Sequence, residues 1–471
     1  MADFRLIADH IAADIVAGRL RPGQQLPPQR WFARRHRIAP STAGRVYGEL
    51  VRRGLVVGEV GRGTFVRAAP AVAQGRALIE TATSAPVNLE LNYPSAAGQS
   101  ELIAASLAPL LRPDVLTAAM RPGAADGTAA ARESAARLLA VPGWRPDPAQ
   151  LLFTGNARQA IAAALASLVR PGGRVGVEEL TYPLVKEIAG RLGVVLVPLA
   201  GDAEGVRPDA LAAVHRAAPL SALYLQPTLH NPTSSTMSER RRGELGDLVV
   251  AWGLPVVEDR IWSFLHPDAP AFAAHAPGLT HVVDGLSKRV APGLTVGFLV
   301  VPEDRAEAVG AAVRAGGWSA GRFALEAAVR WTGDGVVRRL VEEKRADAAR
   351  RQTILTEHLT GNLTAHLTDN VTANVTGHLG GQRVPGTVRT DPRAYFAWWE
   401  LPAPWRADTF TAAAAAHGIA VTPGTAFAVD PHRTPDAVRL GLASAPQEEL
   451  ARALRTLAAV AAGGPPGSAG G

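Results

Sequence analysis

The chain has only three lysines, Lys186, Lys288 and Lys344, among 49 basic residues. Lys288 lies in "DGLSKRVAPGLTVGFLV", directly after the apolar run "THVVDG". Arginine would supply charge equally well, but its guanidinium stays protonated and cannot act as a nucleophilic amine. A lysine kept here is therefore a candidate for a Schiff base with a carbonyl compound. Three other polar groups follow apolar runs in the same manner. Tyr182 comes after "RVGVEEL", Asn231 after "SALYLQPTLH", and Asp259 closes "PVVED". Taken singly, these could be a core tyrosine, an Asn-Pro turn and a helix cap. Together they form the set that pyridoxal 5'-phosphate asks for: a ring to stack on, an amide for its phenolic oxygen, an anion for its pyridine nitrogen and an amine for its aldehyde.

Seven runs predict strands: "LLFT", "RVGVEE", "GVVLVPL", "SALYLQ", "PVVEDR", "THVVDG" and "VGFLVV". They alternate with helical stretches, which predicts an α/β fold with a mostly parallel sheet covered by helices. Such sheets bind ligands at the carboxyl ends of their strands, where the four polar groups fall.

A chain of 471 residues, 47% apolar and 19% charged, suggests two or more globular domains. The absence of cysteine excludes disulfides, thiolate metal sites and cysteine nucleophiles, and it fits a reducing compartment. No early segment resembles a signal peptide and no run approaches 18 apolar residues, so a cytoplasmic protein without membrane contact is expected. The net charge of +7 is unevenly placed. Residues 1–70 hold twelve arginines and five acidic residues, and the remainder has 37 of each sign. A compact basic unit on a neutral body is the electrostatic footprint of a nucleic-acid contact.

Within that unit, Ile7, Ile11 and Ile15 recur at four-residue steps and predict a helix ended by Gly18. The turn-rich "RPGQQLPP" leads to a short helix with Trp31 and Phe32. A third helix starts at Pro40, with Ala43, Val46, Tyr47 and Leu50 on one face and Ser41, Arg45, Gly48 and Arg52 opposite. "GLVVGEVGRGTFVRA" reads as two strands around Gly61-Arg62-Gly63, a wing. Three helices and a wing describe a winged helix-turn-helix.

This unit, residues 1–67, resembles the GntR-type DNA-binding domain through "LPPQR", "STAGRVYGEL", "RRGLV" and "GRGTFV". The resemblance implies that Arg30, Ser41, Thr42, Arg45, Arg52, Arg62 and Gly63 face a double-stranded operator. Where the family usually has a serine-arginine pair, this chain has Ala39-Pro40. Residues 68–86 read as a linker. Residues 87–460 resemble the type I fold of pyridoxal-phosphate enzymes, the class I aminotransferase fold, with a large part to about 335 and a small α+β part from about 336. Head and body together resemble the MocR subfamily of GntR regulators. That resemblance implies a homodimer in which Lys288 anchors the cofactor, with Asp259, Asn231, Tyr182, Ala157, Arg158, Ser287 and Arg289 around it. It also implies that Arg439, in "VRLGLAS", pairs with the carboxylate of a small amino-compound effector.

Three positions depart from that pattern. Ile261 stands where the family has a tyrosine, Thr295 where it has a phosphate-binding arginine, and Asn156 where it has a phosphate-loop glycine. Arg158 or Arg289 would then supply charge for the phosphate. The repeat "EHLTGNLTAHLTDNVTANVTGHLG", residues 357–380, shows no chelating histidine pair and carries no chemistry, and the glycine-rich tail 461–471 reads as disordered. Three functions remain open: a regulator that senses pyridoxal phosphate or an amino compound, a pyridoxal-phosphate-dependent aminotransferase, and a regulator whose body has lost the cofactor.

Overall fold

The computed structural model describes residues 4–16, 19–20, 24–52, 55–59, 63–66, 85–360, 377–379, 382–384, 386–430 and 433–465. The head comprises α1 (Phe4–Val16), β1 (Gln25–Leu26), α2 (Gln29–Arg35), α3 (Pro40–Arg52), β2 (Val56–Glu59) and β3 (Gly63–Val66). Its apolar positions converge: Ala8, Ile11, Phe32, Ala43, Val46, Tyr47 and Leu50 are buried in one cluster, with Ile7 and Ile15 packed against it. The rings of Phe32 and Tyr47 meet edge-on at 5.2 Å, and the Tyr47 hydroxyl donates to the carbonyl of Pro27. Burial pushes the Tyr47 pKa up to about 12. Pro40 opens α3, where its missing N–H costs no helical hydrogen bond. The wing is three-stranded, in the order β1-β3-β2. Its third strand lies in "QL", part of the stretch expected to be only a turn-rich connection.

All seven runs expected as strands join one sheet: β4 (Leu151–Thr154), β5 (Arg174–Glu178), β6 (Val195–Leu199), β7 (Ala222–Leu225), β8 (Val256–Asp259), β9 (Thr280–Gly285) and β10 (Gly297–Val300). The order is β4-β10-β9-β8-β7-β5-β6. β10 runs antiparallel to both neighbours, and the β9-β8-β7-β5-β6 pairings are parallel. The central strands are buried along their whole length, because helices cover both faces of the sheet, and this is why they read as unbroken apolar runs. Helix α4 (Ala157–Leu168) follows β4, α5 (Pro183–Leu192) follows β5, and α6 (Glu239–Trp252) precedes β8. A four-residue helix, α7 (Leu286–Arg289), follows β9.

The 20-residue α8 (Val336–Leu355) leads into a second, antiparallel sheet. That sheet has the order β11-β12-β14-β13, formed by β11 (Thr387–Thr390), β12 (Phe396–Glu400), β13 (Thr422–Pro423) and β14 (Ala437–Gly441). Helix α9 (Gln447–Gly463) follows this sheet, so residues 461–463, expected in a disordered tail, are helical. Most of the linker 68–86 and of the 357–380 repeat lies outside the described residues. Among the described residues, no single helix is long and apolar enough to cross a membrane.

Candidate functional site

The carboxyl ends of the large sheet open onto a cavity lined by Asn156, Ala157, Arg158, Tyr182, Asn231, Asp259, Ser287, Lys288 and Arg439. They arrive on several elements, with Asn156, Ala157 and Arg158 at the start of α4 and Ser287 and Lys288 together in α7. Asn156 caps α4, its side chain accepting from the amide of Gln159 at 3.1 Å, so the N-terminus of a 12-residue helix faces the cavity. That turn lies close to β10. A Cβ on Gly297 would sit 2.4 Å from the Asn156 backbone, so only glycine lets the strand pass. Tyr182 immediately precedes α5, Asp259 ends β8 and Lys288 lies in α7.

The Lys288 ammonium donates to the carbonyl of Asn92 at 2.9 Å and lies 4.4 Å from the Tyr93 ring centroid and 5.2 Å from that of Trp262. Residues 90–93 reach the site because Val87–Asn88 pairs with Ile419–Ala420 and the Asn88 side chain accepts from the amides of Glu90 and Leu91. Asp259 is buried. One oxygen accepts from the Tyr224 hydroxyl at 2.6 Å and from Gln226 at 2.8 Å, and the other from the Ile261 amide at 3.0 Å. Burial raises its pKa, and these donors oppose the rise. Arg439 is buried as well, donating to the Glu90 carbonyl and to Thr422. Burial lowers its pKa to about 10, with Glu90 opposing the fall.

Among the described residues, four polar atoms of cavity-lining residues are buried with no hydrogen-bond partner: Asn92 Nδ2, Asn231 Oδ1, Thr295 Oγ1 and Arg439 Nε. A buried polar atom left unpaired costs about 1–3 kcal/mol, which a bound polar ligand removes. The donor set fits pyridoxal phosphate: an amine, a carboxylate, an amide, a ring, and a helix N-terminus beside Arg158, Ser287 and Thr295 for an anion.

Family models match both parts of the chain: bacterial regulatory proteins of the gntR family over residues 5–66, and class I and II aminotransferases over residues 117–457. The chain belongs to the class I and II aminotransferase family. With its gntR-type head it is a MocR-type, DNA-binding transcriptional regulator. It is 29% identical to the uncharacterized HTH-type transcriptional regulator YdeF of Bacillus subtilis (strain 168), over 76% of this chain and 77% of the relative. It is 26% identical to the HTH-type pyridoxine biosynthesis transcriptional regulator PdxR of Corynebacterium glutamicum, over 48% of this chain and 49% of that one. In structure the body resembles the kynurenine aminotransferase of Pyrococcus horikoshii, with a TM-score of 0.69, 20% identity, and coverage of 83% of this chain and 94% of the other.

Within this regulator one expected cofactor contact is misplaced. Arg289 does not line the cavity; it is buried against Asp284 through both guanidinium nitrogens and lies 5.4 Å from the Phe264 ring. Its pairing with Asp284, at the end of β9, turns the Arg289 guanidinium away from the face on which Ser287 and Lys288 meet the cavity. Arg158 remains as the cationic side chain at the anion end.

Sequence reasoning also missed Tyr224 and Gln226, which hold Asp259, and it missed Lys344. The Lys344 side chain is fully buried, and its ammonium donates to the carbonyls of Lys288, Arg289 and Val290 at 3.1, 3.1 and 2.7 Å. Three N–H groups thus meet the three carbonyls that end α7, a match arginine's planar fork would not make. Lysine's rarity was the available signal for Lys344 as well as for Lys288.

In the head, Ser41, Arg45 and Arg30 are exposed, as an interface with DNA requires, and Thr42 is half-buried. The Arg45 guanidinium lies 4.0 Å from the Phe4 ring. Gly63, exposed at the start of β3, has a positive φ of 119° that glycine permits. The Arg52 side chain and Arg62 lie outside the described residues.

Proposed function

We propose that this regulator binds pyridoxal 5'-phosphate in the cavity of its body and that an amino compound entering there changes how paired heads hold an operator. The observation that carries this reading is the convergence of Lys288, Asp259, Asn231 and Arg439 on one cavity with polar atoms left unpaired. When bound, pyridoxal phosphate supplies an aldehyde that exchanges between primary amines, together with a phosphate anion.

Lys288 is the amine this chain contributes, oriented by Asn92 and by the Tyr93 and Trp262 rings. Asp259 would take the ring nitrogen's N–H, and the positive charge there would keep the carboxylate ionised against the pull of burial. Asn231 would donate to the phenolic oxygen and Tyr182 would stack on the ring. The α4 N-terminus, Arg158, Ser287 and Thr295 would hold the phosphate. Arg439 would receive the effector's carboxylate through its unpaired Nε.

Ile261 and Thr295 give fewer polar contacts than the aminotransferase pattern, which favours sensing over rapid turnover. Two bodies related by a two-fold axis would carry two heads and read repeated half-sites through Ser41, Thr42, Arg45 and Arg30. Control requires the effector to bind the two head arrangements unequally, and DNA must then alter effector affinity by the same factor.

Adding pyridoxal phosphate to the purified protein tests the reading. A visible band removed by borohydride, together with operator affinity that changes on adding an amino acid, is expected. No band in the wild-type protein, or the same band in Lys288→Ala, overturns it.

A further inference from the structure

Behind the first cavity lies a second, of about 130 Å³, between the large sheet and β11 of the small one. The two share a wall residue. Gln226 turns its side chain to Asp259 at 2.8 Å, and its backbone N–H donates to Glu178 Oε1 at 2.8 Å on the other side. Glu178, the last residue of β5, is 8% exposed, and its Oε2 is buried with no hydrogen-bond partner. His230, 6% exposed, meets Thr233 through Nδ1 at 2.8 Å and leaves Nε2 buried and unpaired. Burial lowers its pKa to about 4, with the Leu180 backbone carbonyl opposing the fall, so the ring is neutral at pH 7. With the ring proton on Nδ1, Nε2 presents a lone pair.

The other carboxylates around this cavity are compensated. Arg241 holds Asp202 at 2.9 Å and Glu204 at 3.6 Å, and Arg433 lies 3.7 Å from Glu179. Arg389, from β11, pairs with Glu400 at 2.8 Å through a terminal nitrogen, and its Nε is buried without a hydrogen-bond partner. Glu178 is thus the carboxylate whose charge no arginine meets, which is the most costly way to bury one.

We propose that this second cavity is a binding site for a small protonated primary amine, whose three N–H groups donate to Glu178 Oε2, to His230 Nε2 and to the Ser235 hydroxyl. The acceptors select the ligand class. An ammonium needs about three acceptors around one nitrogen, whereas a divalent metal needs about six oxygens, and here one carboxylate oxygen is free. The site stands on its own residues and does not depend on pyridoxal phosphate.

Glu178 also sets a pH dependence. Burial, followed by the Asp259 charge, raises its pKa to about 7. His230 is already neutral in this range and Arg241 keeps Asp202 ionised, so affinity for an amine should rise as Glu178 ionises from pH 6 to 8. The folding linkage has the opposite sign. A carboxyl whose pKa is raised by folding stabilises most below its unfolded value and loses that contribution as pH climbs through about 7.

The test is calorimetry on the full chain without added pyridoxal phosphate, at constant ionic strength, with methylammonium as ligand and tetramethylammonium and potassium as controls. Saturable methylammonium binding that neither control reproduces, and that strengthens from pH 6 to 8, is expected. Glu178→Gln should weaken it roughly tenfold or more. The amide oxygen still accepts from Gln226, so the fold should persist. Ser235→Leu, which fills the cavity from the other side, should also abolish binding. Absent binding, an equal response to tetramethylammonium or potassium, or unchanged affinity in both variants overturns the proposal. None of these outcomes bears on the visible band that tests the first cavity.

Discussion

The head and the body present their functional groups in opposite ways. In the head one helix, α3, buries Ala43, Val46, Tyr47 and Leu50 and exposes Ser41 and Arg45. A single 3.6-residue period separates structure from function, and the partner is a large, charged surface that comes to the protein. In the body the groups come from β4, β5, β7, β8, β9 and β14, several are buried, and polar atoms are left unpaired inside. There the partner must be small enough to enter. An exposed arginine contributes contact by contact, whereas a buried group is tied to everything packed around it.

Lys288→Ala should break the contrast most sharply. It is expected to eliminate the visible pyridoxal-phosphate band while leaving operator affinity without effector within about twofold, since exposed head residues add independently of distant sites. A spectrum and a gel-shift titration on one preparation check both halves. Lys344→Met should be next, because it strands three main-chain carbonyls and one side chain then affects both stability and site. A loss of about 3 kcal/mol in denaturant unfolding is expected, with slower formation of the band.

Arg45→Ala tests the other side of the comparison. Operator affinity should fall roughly tenfold, or about 1.4 kcal/mol, with the band unchanged and a shallower dependence on salt. Thr295→Val should have the smallest effect and a divided sign. Removing an unpaired buried hydroxyl should raise the Tm of the cofactor-free protein slightly, while affinity for pyridoxal phosphate drops severalfold.

The same contrast explains what could be read from sequence. All seven central strands were legible because burial on both faces leaves continuous apolar runs, and α3 was legible from its period. Tyr182, Asn231, Asp259 and Lys288 were legible because polar residues interrupt such runs at strand ends. The β1 strand of the wing was not, since two residues carry no period. Arg289 was misread because sequence adjacency says nothing of direction, and its guanidinium turns to Asp284 instead of the cavity. Tyr224 and Gln226 were missed because support for Asp259 comes from β7 and the loop after it, 35 and 33 residues earlier in the chain.

Helix α8 has a mechanical consequence. Midway along it Lys344 grips the turn that bears Lys288, and about two turns further on Gln352 donates to the carbonyl of Ala394 while Arg351 holds those of Leu442 and Ala445. A 20-residue helix is a rod of about 30 Å, stiff along its axis. The small sheet therefore cannot swing and carry this rod without either pulling on the lysine turn or tearing three bonds from it. Whatever tilts the lobe is felt, through one ammonium, at the reactive amine.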